Sequence, residues 1–179
     1  MILELAPVAG PLTPGLLAEL TEVYASNAAY HRISGDFPDP ERIAPKQVAS
    51  ALGPELEHSA AEVLLLREVP EPPGRPERLV GVACVLHEHP DPLDPYPWIG
   101  LLLIRGDAQG RGYGRAAAGL LEDRFRAMGR DGARLAVLDG NPAALRFWTG
   151  LGYRVVDQRG DLHQGRPCSV LQKDFEAAD

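Results

Sequence analysis

The chain has 179 residues and a formal net charge of −7 at pH 7. This length suits one domain, spanning residues 1–179, that buries a core of its own. The acidic balance, without a cluster of basic residues and interleaved aromatics, argues against a nucleic-acid partner. No apolar run is long enough to cross a membrane and no charged-then-apolar leader is present, so we expect a cytoplasmic protein without a membrane partner.

The first half of the chain predicts a strand, two helices and a hairpin. Thr13 and Pro14 suit the N-cap and first position of a helix, and apolar residues then recur at helical spacing. A polar stretch with glycine and prolines at residues 32–40 predicts a loop, and the prolines of residues 70–76 predict the hairpin turn. The predicted elements are a strand at 2–5, helices at 14–29 and 45–57, and strands at 61–69 and 78–87.

The second half predicts strands that alternate with helices and then a closing hairpin. Residues 98–104 are almost all apolar, as expected of a central strand covered on both faces. Gly129 suits the end of the next helix, and Asn141 suits the N-cap of a short helix that starts at Pro142. The other predicted elements are a helix at 115–128, a strand at 134–138, and hairpin strands at 153–158 and 167–173.

The cysteines and histidines predict neither a metal site nor a disulfide. None of them has the spacing of a ligand set. Cys84 and Cys168 fall far apart in strand-like segments, which predicts buried free thiols in a reducing compartment.

A glycine-rich stretch separates the strand at residues 98–104 from the following helix. Its sequence is Gln109-Gly110-Arg111-Gly112-Tyr113-Gly114. The first amides of a helix lack intrahelical partners and carry partial positive charge, and glycines let a phosphate approach them. The lysine of a P-loop is missing, and Arg115 stands where the dinucleotide pattern needs glycine. The stretch, here called the glycine loop, therefore predicts a phosphate-bearing cofactor of another kind.

The glycine loop resembles the acyl-CoA loop of the GNAT (Gcn5-related) N-acetyltransferases, which has the form Gln/Arg-x-x-Gly-x-Gly/Ala. A second segment at residues 141–153, NPAALRFWTGLGY, lies where the same family carries Asn-x-x-Ala-x-x-Phe-Tyr and then Gly-Phe. The resemblance covers residues 79–175. It implies an α/β fold with a mixed, mostly antiparallel central sheet and helices on both faces, in the order β-α-α-β-β-β-α-β-α-β-β.

The resemblance also implies acetyl-CoA as cofactor and assigns residues to its parts. Backbone groups near Leu102 and Ile104 would bind the pantetheine amides in the manner of an added strand. Asn141 would contact the pantetheine arm while it also caps its helix, and Trp148 would form a wall of the pocket. The pyrophosphate would lie on the amides of the glycine loop and the next residue, with Arg111 and Arg115 adding charge: Gln109, Gly110, Arg111, Gly112, Tyr113, Gly114 and Arg115.

The implied reaction is direct transfer of an acetyl group to a primary amine of a small molecule or a peptide. The amine must first lose a proton. Trp148 stands where many relatives have a tyrosine acid, and Trp98 where many have a glutamate base. His87 is the candidate base, because hairpin pairing would bring it near Tyr96 at the pocket end of the strands.

Several alternatives stay open at this point. His31 and Asp36 could instead line the acceptor side, or water and the ionisation of the amine itself could remove the proton. Because the tyrosine and glutamate are missing, a CoA-binding regulatory or sensor module without transferase activity is the alternative function. A homodimer also stays open, and the sequence does not name the acceptor.

Overall fold

The elements follow the predicted chain order, with one additional helix in the first half. The computed structural model describes residues 2–70 and 76–176, so residues 71–75 of the predicted proline-rich turn lie outside it. The strands are β1 Ile2–Pro7, β2 Ala61–Val69, β3 Arg78–Leu86, β4 Trp98–Ile104, β5 Gly132–Leu138, β6 Arg154–Gly160 and β7 Pro167–Asp174. The helices are α1 Pro14–Ala25, α2 Ala28–Ser34, α3 Pro45–Glu57, α4 Tyr113–Ala127 and α5 Pro142–Thr149, with a 3-10 turn at Gly106–Ala108.

Within the described residues the strands form one seven-stranded sheet of order β1-β2-β3-β4-β5-β7-β6. Neighbouring strands are antiparallel, except that β4 and β5 run parallel in the middle of the sheet. Helices cover both faces of this sheet. Leu20 of α1 and Leu52 of α3 are fully buried against one face, and Leu121 and Phe125 of α4 are fully buried on the other.

This arrangement confirms the predicted fold class, a mixed and mostly antiparallel sheet between two layers of helices. Apolar β-strand residues on both faces account for the buried core, because each helix layer needs an apolar face to pack against. Cys84 and Cys168 are buried, free thiols, as the sequence predicts.

The predicted helix at residues 14–29 is wrong, because it is two helices that meet at Ser26 and Asn27. The Asn27 amide donates to the carbonyl of Val23 at 2.8 Å and to the carbonyl of Ile104 at 3.1 Å. The Ser26 hydroxyl accepts from the amide of Gly106 at 2.9 Å. These bonds tie the α1–α2 junction to the end of β4. The chain then resumes as α2, which extends into the predicted loop as far as Ser34.

We expect Asn27→Asp to destabilise the protein by about 2–3 kcal/mol, because the variant loses both donors and places a carboxylate against two buried carbonyl oxygens. The other asparagine provides a matched control. Asn141 uses its side-chain oxygen to cap α5, and aspartate caps a helix equally well, so Asn141→Asp should change stability by less than about 0.5 kcal/mol. Urea denaturation of the three proteins measures both values. Equal stabilities of the two variants would contradict the role of the Asn27 amide.

Candidate active site

A cleft opens in the sheet where β4 and β5 separate. The two strands pair at Trp98 with Arg134 and at Ile99 with Leu135, which are the first two residues of β4 and the third and fourth of β5. Beyond these pairs lies a cavity of about 120 Å³, lined by residues 99–102 of β4 and 135–138 of β5. Tyr30 reaches this cleft from α2, and Asn141 and Trp148 reach it from α5. The cleft is therefore bounded by strands at its sides and by two short helices.

A bulge marks the closed end of the cleft. Cys84 pairs with Leu101 and Val85 pairs with Ile99, so Gly100 is left without a partner on β3. A bulge bends its strand and redirects the groups around it. Gly100 lines the cleft, and a side chain there would meet the carbonyl of Cys84 at an ordinary 3.6 Å.

The backbone of β4 turns alternate residues towards the cleft. The amide of Arg105 donates to Val80 of β3, so by strand alternation the polar groups of Leu102 and Ile104 face the opposite side. Leu102 thus presents its amide and carbonyl to the open cleft. The carbonyl of Ile104 already accepts bonds from Asn27 and Gln109, so the expectation that it would bind a ligand is corrected. The amide of Ile104 faces the side of the cleft by the same strand alternation.

The glycine loop has the geometry of an anion site. Gly110 and Gly112 have φ values of +71° and +90°, which favour glycine, and a side chain on either would point into open space. Helix α4 starts at Tyr113, and none of the side chains that the structure describes caps its first amides. Uncapped amides at the start of a 15-residue helix carry partial positive charge, so this end of the loop attracts anions.

Arg111 and Arg115 lie exposed at the same helix start. Within residues 2–70 and 76–176, neither arginine forms an ion pair with a carboxylate. Their charges therefore add to the field of the helix start.

Three other residues of the glycine loop, Gln109, Tyr113 and Gly114, have roles in the fold. The side-chain amide of Gln109 donates to the side chain of Asn27 at 2.9 Å, and the backbone amide of Gln109 donates to the carbonyl of Gly106. Tyr113 is buried, and its hydroxyl donates to Glu68. A side chain on Gly114 would approach the ring of Phe147 to 3.3 Å, so this glycine permits the close packing of α4 on α5. Available loop amides thus begin at Gly110.

Asn141 and Trp148 occupy the positions that the second segment predicts. The Asn141 side chain accepts from the amide of Ala144 at 3.1 Å and thereby caps α5. Trp148 is 7% exposed and packs edge-on against Phe147 and Tyr153. Trp148 is therefore a fixed apolar wall of the cleft.

His87 does not line the cleft, so its predicted location is corrected. It follows β3, which runs antiparallel to β4, and this direction places it beside Trp98 at the closed end. Its ring lies against Phe125, and its Nε2 atom lies 3.2 Å from a carboxylate oxygen of Glu62. Arg124 donates to the same carboxylate. His87 thus belongs to a network that packs α4 on the sheet.

His31 and Asp36 are also engaged elsewhere. His31 is buried, with its Nε2 atom 3.0 Å from the carbonyl of Tyr24, and burial lowers the pKa of its imidazole. Asp36 accepts from Arg166 at 2.9 Å. Trp98 donates its indole N–H to Asp94 at 3.0 Å and stacks on His89.

The sequence did not identify Tyr30 or Arg166. Tyr30 lies one residue beyond the predicted helix at 14–29, and in the structure it belongs to α2, which follows the break at Asn27 and borders the cleft. Arg166 lies between β6 and β7 and donates to the C-terminal carbonyl of α2 at Ser34. Its side chain also binds Asp36 and Asp161, so it fastens the β6–β7 turn to α2. Nothing in the local sequence of Arg166 indicated these partners.

A family model described as the Acetyltransferase (GNAT) family matches residues 26–153, and the chain belongs to this family, as its motifs predicted. No curated protein sequence matches the chain. Within the described residues, no helix has the length and apolar character needed to cross a membrane.

Solved structures support the family at the level of the fold. An acetyltransferase from Thermus thermophilus is 25% identical, with a TM-score of 0.72 over 98% of each chain. The ribosomal-protein-S18-alanine N-acetyltransferase from Escherichia coli is 17% identical, with a TM-score of 0.62 over 99% of this chain and 97% of its own. Spermidine N-acetyltransferase from Vibrio cholerae, in complex with CoA and spermine, is 12% identical, with a TM-score of 0.66 over 96% and 95%.

The turn that Arg166 fastens depends on an ionised Asp161. Burial would raise the pKa of Asp161, but bonds from the amides of Gln164 and His163 and from Arg166 outweigh it and lower the pKa from 3.8 to about 2. A lowered folded-state pKa stabilises the fold above pH 3.8, and this stabilisation is lost as the pH falls through about 2.

We expect Asp161→Asn to lower the free energy of unfolding by about 1–2 kcal/mol at pH 7, because a charge-assisted network is lost. The difference from the wild-type protein should shrink as the pH falls towards 2, where Asp161 itself is protonated. Urea denaturation at low salt from pH 2 to 7 measures this, with the exposed Asp157→Asn as control. A difference that does not change with pH would show that packing, rather than charge, explains the effect.

Proposed function

We propose that the protein is an acetyl-CoA-dependent N-acetyltransferase that transfers the acetyl group directly to a primary amine of a small molecule or peptide. The observation that carries this proposal is the continuity of the site. An uncapped, glycine-rich helix start follows the end of β4, and the free backbone of Leu102 and the cavity between β4 and β5 lie on the same strand before it. A long ligand with an anionic end and an extended polar arm fits such a path.

Each part of the path suits one part of the ligand. The amides from Gly110 onward, with Arg111 and Arg115, would hold the pyrophosphate. The amide and carbonyl of Leu102 and the amide of Ile104 would bind the pantetheine arm as a neighbouring strand would. Asn141 and Trp148 would border the thioester end. Bound acetyl-CoA supplies an acyl group on a good leaving thiol.

The cleft contains no residue suited to deprotonate the amine. Among its described lining residues there is no aspartate, glutamate, histidine or lysine. The proton must therefore leave to water, and the fraction of free amine depends on the pKa of the amine itself. At pH 7 about a tenth of an α-amino group is free base, compared with less than about a thousandth of a lysine-like amine.

Relatives support an amine as the acceptor. The names of two similar structures specify spermidine and a ribosomal-protein alanine as what those proteins acetylate. One of these acceptors is a small molecule and the other belongs to a protein, which is why the proposal includes both kinds of amine. A CoA-binding module without transfer activity is the competing function, and the assay below separates the two.

The function is tested by release of free thiol from acetyl-CoA across a panel of amines, with calorimetry of CoA binding in parallel. The panel should include α-amino groups of amino acids and peptides, alkyl amines and polyamines. We expect binding together with amine-dependent thiol release. Binding without release on any amine would favour the regulatory module, and an absence of binding would contradict both functions.

In the same assay the rate should rise with pH towards the pKa of each amine, because no group in the cleft removes the proton. His87→Gln should leave this profile unchanged, since His87 lies at the closed end of the strands. The opposite result would be a wild-type rate that stops rising near pH 6–7 and a loss of this plateau in His87→Gln. That result would support His87 as the base.

The double variant Arg111→Ala/Arg115→Ala should raise the Kd for acetyl-CoA by about 10-fold or more, because two charge-assisted phosphate contacts are lost. The maximal rate should change little, since both arginines lie away from the reacting bond. Arg42→Ala is the control, because Arg42 is exposed in the segment between α2 and α3. Calorimetry at two salt concentrations measures the effect. An unchanged Kd would contradict the assignment of the phosphate to the glycine loop.

A further inference from the structure

Tyr30 provides the sole ionisable side chain among the described residues that line the cleft. The other lining residues are aliphatic or glycine, apart from Asn141 and Trp148. An amide and an indole N–H can donate hydrogen bonds, but neither gives up a proton at neutral pH. A phenol can donate a hydrogen bond and also transfer its proton. Proton transfer inside the cleft therefore has one candidate group.

The structure fixes the position of Tyr30 from both ends of α2. Asn27 ties the start of the helix to the end of β4, and Arg166 binds the carbonyl of Ser34 at its end. The Tyr30 ring packs on the core beneath α1 and α3, and it meets the His31 ring edge-on at 5.2 Å. These contacts hold the ring of Tyr30, which lines the cavity.

The surroundings of Tyr30 keep its hydroxyl protonated. Burial is the main cause that raises the pKa of Tyr30 from 10.0 to about 12, and the charge of Asp36 raises it further while Arg166 opposes this. A group with such a pKa carries its proton throughout the physiological range. It can therefore act as a donor, but it is not a base for the incoming amine.

We propose that Tyr30 is the catalytic proton donor to the departing sulfur, an inference that rests on the proposed acetyl transfer. A C–N bond forms to the acceptor and the C–S bond breaks. The Tyr30 Oη–H gives its proton to the sulfur, and the acceptor nitrogen loses one proton, which returns through water to Tyr30. Atoms and charge balance, and no further reactant is needed. Tyr30 on α2 thus supplies the hydroxyl that Trp148 on α5 does not have.

Binding tests this contact without turnover. A hydrogen-bond donor at the sulfur should favour CoA over desulfo-CoA, which lacks the sulfur, and more so at pH 9 than at pH 6.5 because a larger fraction of the thiol is ionised at pH 9. In the wild-type protein we expect the ratio of the Kd for desulfo-CoA to the Kd for CoA to be about 5-fold larger at pH 9 than at pH 6.5. In Tyr30→Phe we expect no such increase. Tyr96→Phe is the matched control, because its hydroxyl binds Asp174 away from the cavity.

Turnover tests the proton transfer itself. Tyr30→Phe should lower kcat by at least about 10-fold, near the low end for a general acid because a thiol is a better leaving group than an alcohol. The KM for acetyl-CoA should stay within about 2-fold, since phenylalanine keeps the packing of the ring. Thermal unfolding of both variants checks that the fold is intact.

The outcomes are distinct. A kcat for Tyr30→Phe within 2-fold of the wild-type value, or a preference for CoA at pH 9 that survives the substitution, would overturn the role of Tyr30. Loss of acetyl-CoA binding by Tyr30→Phe would also overturn it, because the hydroxyl would then serve binding. A wild-type protein that releases no thiol with any amine would instead overturn the proposed function, and that result requires no variant.

Discussion

The geometry of the cleft depends on one junction, where Ser26 and Asn27 join the end of α1 to the end of β4. Asn27 donates to the carbonyl of Ile104 and accepts from Gln109, the first residue of the glycine loop. The same side chain therefore sets the glycine loop and α2 relative to each other. Buried amides are expensive to leave without partners, so this junction resists rearrangement. A helix that ran on past Ala25 would carry Tyr30 in another direction.

The sheet can open between β4 and β5 because each strand is paired along most or all of its length with its other neighbour. β4 is paired with β3 along most of its length, and β5 is paired with β7 over all seven residues. Separation therefore sacrifices few ladder bonds and leaves the backbone of Leu102 available. The bulge at Gly100 falls at the point of divergence, where a strand must bend. The opening is thus a property of the strand order rather than a defect in packing.

Local patterns predicted the parts of this protein that local chemistry determines. Glycines with positive φ and an asparagine N-cap act within a few residues, so the glycine loop and the start of α5 could be predicted. The α1–α2 break could not, because the partners of Asn27 lie 77 and 82 residues away. The bond from Arg166 to Asp36 spans 130 residues, and no periodicity indicates such a pair. The direction of β3 relative to β4, which places His87 at the closed end of the cleft, likewise depends on how the strands pair in the sheet.

Arg166 contributes both to the position of α2 and to the charge near Tyr30. Its guanidinium binds the end of α2, and its charge neutralises Asp36 beside Tyr30. Asp36 is thus engaged by Arg166 and is not among the described residues that line the cleft, which agrees with a lining that offers a donor but no base. In the proposed reaction the protein therefore assists the departure of the thiol and leaves deprotonation of the amine to solvent. Under this division, acceptors are selected partly by the pKa of their amine, before any contact with the loops that border the cleft.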